Sequence, residues 1–92
     1  MKITYQEFQE AIKLFGLIGL ETKKQVKDKY LKLSKRYHPD MSDGDEDKFQ
    51  KINKSYKILE YYIDNYQFTF SKEEFKKQYP FSENQDEPWS LW

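Results

Sequence analysis

Apolar side chains recur along this chain at steps of three and four residues, the spacing that stacks them on one face of an α-helix. Tyr5, Phe8, Ile12 and Phe15 make the first such run. Thr4 precedes it with Glu7 three positions on, a reciprocal capping pair that opens a helix, and Gly16 supplies a stop. A first helix over about residues 5–15 is predicted. After a connection over 17–21, Thr22 and Gln25 repeat the capping pair, and Val26, Tyr30, Leu33 and Tyr37 form the next apolar stripe. At 100° per residue those four fall within about 60° of one another, with Lys24, Lys27, Lys32 and Lys35 on the far side. Pro39 ends this second helix, because proline lacks the N–H a helix needs and disfavours α geometry at the residue before it. His38 therefore stands at the junction.

Residues 41–47 are polar and include Gly44, after which Phe49, Ile52, Tyr56, Leu59, Ile63 and Tyr66 again step by three or four. They predict a third helix, the longest. Two helices joined by so short a polar loop should lie antiparallel and bury their stripes against each other and against the first helix. Phe49 and Tyr56, on the same face as Ile52 and Leu59, are expected to be buried in that interface. The aromatic stretch 66–70 has no partner strand elsewhere and reads as a connector. Ser71 with Glu74 is a further capping box, opening a short fourth helix that carries Phe75 and Tyr79 and stops at Pro80. The expected fold class is all-α: an antiparallel helical hairpin with a short N-terminal helix and a short C-terminal helix. One domain is expected over 1–80 and a flexible tail over 81–92. Trp89 and Trp92 in that tail either anchor a partner or fold back to complete the core.

Composition bounds what such a domain can be. With 92 residues there is room for one small core, and 18% aromatic content with a single alanine means that Phe and Tyr must fill much of it. The chain has no cysteine, which excludes a disulfide scaffold, thiolate zinc sites and a cysteine nucleophile. No apolar run is long enough to span a bilayer and the N-terminus lacks a signal-peptide core, so a cytoplasmic location is expected. Sixteen basic and sixteen acidic side chains cancel, which gives no general attraction to nucleic acid or acidic lipid. The distribution is polarised, however. Seven basic residues lie between Lys23 and Arg36 against Asp28 alone, and Asp40, Asp43, Asp45, Glu46 and Asp47 follow.

Candidate chemistry narrows to His38. A single histidine cannot make a two-histidine metal site, there is no glycine-rich phosphate loop, and Ser34, four residues before His38, lies within a helix. Asp43, Asp45 and Asp47 alternate as in a calcium loop, but the twelfth position from Asp43 is Lys54 rather than the required Glu. No enzyme activity, metal or cofactor is expected.

The string from Tyr30 through Tyr37 to His38-Pro39-Asp40, a short polar loop, and then Phe49 to Leu59 resembles helices II and III of the J-domain (DnaJ-type) co-chaperone family with its His-Pro-Asp between them. Lys13 to Leu17 is similar to the leucine-glycine end of the family's first helix, and the resemblance covers about residues 5–66. It implies a J-domain fold and docking on an ATP-bound DnaK-type chaperone, near its nucleotide-binding domain and interdomain linker, with acceleration of ATP hydrolysis. On that resemblance His38, Pro39 and Asp40 contact the partner. Lys27, Lys32, Lys35 and Arg36 belong to a basic helix face that meets an acidic patch on the chaperone, and Tyr30, on the apolar stripe, serves contact or packing. Leu31 and Met41 stand where many relatives carry a base, and the segment after Ile63 only loosely echoes the family's fourth helix. A client or adaptor would be chosen through the tail or another protein. Two other readings compete: a J-like scaffold that stimulates no ATPase, and a nucleic-acid binder using the Lys23–Arg36 helix, which the zero net charge and the acidic 40–47 segment disfavour.

Overall fold

The computed structural model describes residues 1–81, and within them it has four helices and no strand. α1 spans Tyr5–Phe15, α2 Lys23–Tyr37, α3 Glu46–Asp64 and α4 Lys72–Gln78. Both predicted capping pairs form: the Thr4 hydroxyl accepts from the Glu7 N–H and the Thr22 hydroxyl from the Gln25 N–H, while each Glu or Gln side chain returns to the cap backbone. Gly16 ends α1 in the left-handed region (φ 63°), a conformation open to a residue without Cβ, and its N–H closes on the last turn. The two expected antiparallel helices are indeed so. Lys23 at the start of α2 pairs with Asp64 at the end of α3 (2.7 Å), the Tyr30 hydroxyl meets Asn53 Oδ1 midway (2.8 Å), and the Asp45 N–H donates to the Tyr37 carbonyl at the other end (3.1 Å).

The core lies where α1 crosses this hairpin. Ala11, Phe15, Val26, Ile52 and Leu59 are buried together, and Phe8, Ile12, Leu33, Tyr37 and Ile63 pack around them. Ala11, the only alanine of the chain, is fully buried, and its small side chain lets the helices approach closely. Aromatics fill the remaining space, with the Tyr56 ring stacked on Tyr30 (4.1 Å between centroids) and on Phe15 (6.4 Å). Burial holds the Tyr56 hydroxyl above the usual phenol value, and the nearby Glu60 carboxylate adds to the effect. Lys29 ties the α1–α2 connection to α2 through an ion pair with Glu21 and a hydrogen bond to the Gly16 carbonyl.

Four details differ from the sequence reading. Phe49 and Tyr56 are half-buried rather than buried, Phe49 because it sits in the first turns of α3 beside the loop, where it meets the edge of His38 instead of the core. α3 ends at Asp64, so Tyr66 lies beyond the helix and joins the connector, packing between Tyr62 and Phe68. At α4 only half of the capping box forms. Ser71 accepts from the Glu74 N–H, but the Glu74 carboxylate takes the Gln78 amide instead of returning to the cap. α4 also stands apart from the other three helices, its Phe75 ring tilted against that of its own cap residue Tyr79 (5.1 Å between centroids). The expectations placed on the tail from residue 82 onward, including Trp89 and Trp92, lie outside the described residues.

Candidate functional site

The tip of the hairpin is a loop over residues 38–45 with its own hydrogen-bond frame. His38 takes an extended conformation (φ −57°, ψ 136°), as a residue before proline must, and this turns the chain out of α2. The Met41 N–H then donates to the His38 carbonyl (2.9 Å) and the Gly44 N–H to the Met41 carbonyl (2.9 Å). Asp45 closes the loop twice over, giving its N–H to Tyr37 and accepting the Lys48 N–H on its carboxylate to cap α3. Glu46 and Asp47 follow in the first turn of α3, and Lys35 and Arg36 occupy the last turn of α2, each sign complementing its helix dipole.

Gly44 is the residue that sequence reasoning passed over as mere loop. A Cβ placed there would lie 2.4 Å from the His38 carbonyl oxygen, 2.8 Å from that of Met41 and 3.0 Å from Pro39 Cα. Only glycine lets the loop fold this tightly over its own tripeptide. Its signal is a tertiary approach and not a left-handed φ, so nothing local in the sequence points to it.

Within this frame the tripeptide is presented outward. The Asp40 side chain is 90% exposed and the His38 side chain 47%. His38 Nδ1 accepts the Asp40 N–H (3.1 Å), which places the neutral ring's proton on Nε2, the nitrogen left for a partner. Its ring meets Phe49 edge to face (5.2 Å between centroids), so the imidazole is oriented from two sides. Tyr30, Lys35 and His38 line one shallow depression of about 280 Å³ together with Ser34, Met41 and Phe49. The last three were not among the residues expected at the site.

The structure sorts the basic residues of α2 by what they touch. Lys23 is bound to Asp64, which holds its ammonium above the usual lysine value, and Lys29 is bound to Glu21. The Arg36 guanidinium lies 5.2 Å from the centre of the Tyr37 ring, and Lys48 caps the same ring at 4.2 Å. Lys27, Lys32 and Lys35 are exposed and form no ion pair with another described residue. Tyr30 is engaged inward through its hydroxyl bond to Asn53 and its stack on Tyr56, so it braces the hairpin behind the loop.

Comparison with known proteins adds the family context. The family model described as DnaJ domain matches residues 10–79, beginning a little inside the 5–66 expected from the motifs and running past its end to take in α4. The Chaperone protein DnaJ of Rickettsia akari is 40% identical over 53 residues, covering 55% of this chain and 14% of that protein. The Curved DNA-binding protein of Coxiella burnetii strain RSA 493 is 34% identical over 55 residues, 58% of this chain and 18% of that one. The Chaperone protein DnaJ of Acetivibrio thermocellus is 50% identical over 38 residues, 38% of this chain and 10% of that protein. The chain thus spans under a fifth of the length of each of these relatives. No solved structure matches.

Proposed function

Since the chain belongs to the DnaJ domain family, we propose that it is a J-domain co-chaperone whose loop at 38–40 docks on a DnaK-type chaperone and stimulates its ATPase. The observation that carries the proposal is the tripeptide itself: exposed, at the tip of the hairpin, and framed by hydrogen bonds from backbone N–H groups, with Asp40 Oδ2 3.7 Å from His38 Nδ1 and the Asp40 side chain still 90% exposed. In this reading Asp40 offers its carboxylate to an arginine of the partner in a charge-assisted pair. Pro39 and the loop's internal bonds reduce the entropy lost on docking. His38 presents Nε2–H beside the depression it shares with Tyr30 and Lys35. Lys27 and Lys32 act earlier, drawing the basic face of α2 toward an acidic surface of the chaperone.

The hydrolysis is the partner's chemistry, and this chain supplies contacts rather than a reacting group. The DNA binding named in one relative belongs to a protein of which this chain covers 18%. The test is steady-state ATP hydrolysis by a DnaK-type chaperone with the wild-type chain, His38→Gln or Asp40→Asn. Wild type should stimulate and both variants should not, while all three melt alike. Equal stimulation by all three would remove the loop from the site.

A further inference from the structure

At the open end of the hairpin, opposite the loop, lies an apolar groove of about 420 Å³ between α1, the α1–α2 connection, the last turns of α3 and the connector. The rings of Phe8, Tyr62, Tyr66 and Phe68 wall it, with successive centroids 4.6, 5.9 and 5.4 Å apart. Tyr66 and Phe68 also border a second hollow of about 430 Å³ with Phe70 and Tyr79, so the apolar surface runs on from Leu20 to the end of α4.

Its size sets this surface apart from scattered exposure. Leu20 and Phe70 are each 98% exposed and Phe68 is 70% exposed, while Tyr62, Tyr66 and Tyr79 are about half exposed. With about 150 to 250 Å² for a whole aromatic side chain, these six leave on the order of 800 Å² open. The largest apolar patch of a monomer is about 300 to 600 Å², whereas each partner in a standard interface contributes about 800 Å². Leu20 adds a second observation. Its φ of 54° makes it the one non-glycine residue in the left-handed region among the described residues, a conformation that its Cβ disfavours. A single copy gains nothing from either the strained backbone or the exposed side chain, and strain of this kind gathers where a surface has work to do.

Charge selects the occupant. The ions beside the groove are neutralised within the chain, Lys23 by Asp64 and Lys29 by Glu21, and α4 sets Glu73 and Glu74 against Lys76 and Lys77. Such a face neither calls for a partner of opposite sign nor repels its own copy, unlike the basic face of α2. We propose that it is the contact of a two-fold dimer, in which Leu20 and Phe68 of each copy cover the aromatic wall of the other. The 15 residues of α2, about 22 Å of helix, separate the groove from His38, so the pair displays two open loops at its far ends. The inference stands apart from the chaperone reading.

Sedimentation equilibrium of the full chain tests it. Wild type should pass from one chain to two with rising concentration, in the micromolar range or below, where interfaces of this area fall. High salt should not separate the pair, because the contact is apolar. Leu20→Gly relieves the left-handed φ, so the dilute chain should melt no lower than wild type. Its association should nevertheless weaken by about 100-fold or more, since a two-fold pair loses the side chain twice. Phe68→Lys, an exposed change, should likewise leave a single chain with helical content intact. Leu31→Lys, a change of the same kind on α2, should pair as wild type does. A single-chain mass for wild type up to millimolar concentration overturns the proposal, as does a mass that climbs beyond two chains or a pair that dissolves in salt. Pairing that survives both Leu20→Gly and Phe68→Lys, or that is lost in Leu31→Lys, also overturns it. No chaperone enters these measurements, so their failure leaves the proposed function as it stands.

Discussion

Replacing Gly44 by alanine would put a methyl group 2.4 Å from the His38 carbonyl oxygen and 2.8 Å from that of Met41. Comfortable non-bonded contact begins near about 3.5 Å, so the loop would have to open by roughly 1 Å. The obstructing atoms are backbone and cannot rotate aside, and the two carbonyls are those that accept the loop's own N–H bonds. Overpacking of this kind costs about 1 to 3 kcal/mol. The narrower freedom of alanine in the unfolded chain returns roughly 0.4 to 1 kcal/mol, because Gly44 does not need a left-handed φ. The net loss of stability should be about 1 to 2 kcal/mol, small enough for the domain to stay folded. Docking should suffer more, since a shift of about 1 Å in a positioned group can cost up to ~100-fold in rate. Single-turnover ATP hydrolysis by a DnaK-type chaperone, run beside thermal melts, separates the two effects. Asp43→Ala, an exposed change in the same loop, is the control. Wild-type stimulation by Gly44→Ala at every concentration, with an unchanged melt, would refute the claim that this glycine sets the shape of the tripeptide.

Reversing Lys27 and Lys32 together to Glu should slow association and raise the concentration for half-maximal stimulation, with recovery at saturation, and added salt should mimic it because exposed charges are screened over about 8 Å; unchanged association kinetics at low salt would make these lysines ordinary surface. Ile52→Ala, at a fully buried position, should cost about 2 to 5 kcal/mol in urea melts, and Phe49→Ala clearly less, since its ring is only partly buried beside the loop. The reverse order would misplace the core. Tyr56 has a raised pKa, so the folded state keeps its proton longer than the unfolded chain; its stabilising contribution is complete below about pH 10 and is lost as pH climbs through the folded value. Tyr56→Phe should therefore gain stability relative to wild type in melts above that pH, and a constant difference across the range would contradict the shift.

Capping chemistry made α1 and α2 legible to the residue, because Thr4 with Glu7 and Thr22 with Gln25 are local signals that the tertiary structure had no reason to override. Periodicity gave faces but not depths. Phe49 lies on the correct side of α3 yet too near its end to reach the core, and Tyr66 continues the spacing after the helix has stopped at Asp64. The tripeptide could be read from its residues and flanks. Its frame could not, since Gly44, Asn53 and Lys48 act through contacts made only once α2 and α3 have met. Likewise a list of basic residues does not reveal that Lys23 and Lys29 are committed to Asp64 and Glu21.

The three ties that hold α2 against α3 also differ in how hard they are to form from an open chain. Tyr37 and Asp45 are eight positions apart, whereas Lys23 and Asp64 are separated by 41. Loop closure scales with the logarithm of that separation, which makes the far tie about 1.4 kcal/mol more demanding in chain entropy. The hairpin should accordingly zip from its tip toward its open end, with φ-values higher at Asp45 than at Asp64. A substitution at Asp45 would then slow folding, while one at Lys23 would mainly hasten unfolding. The segment displayed to a partner in the finished molecule is thus also the place where the molecule starts to assemble.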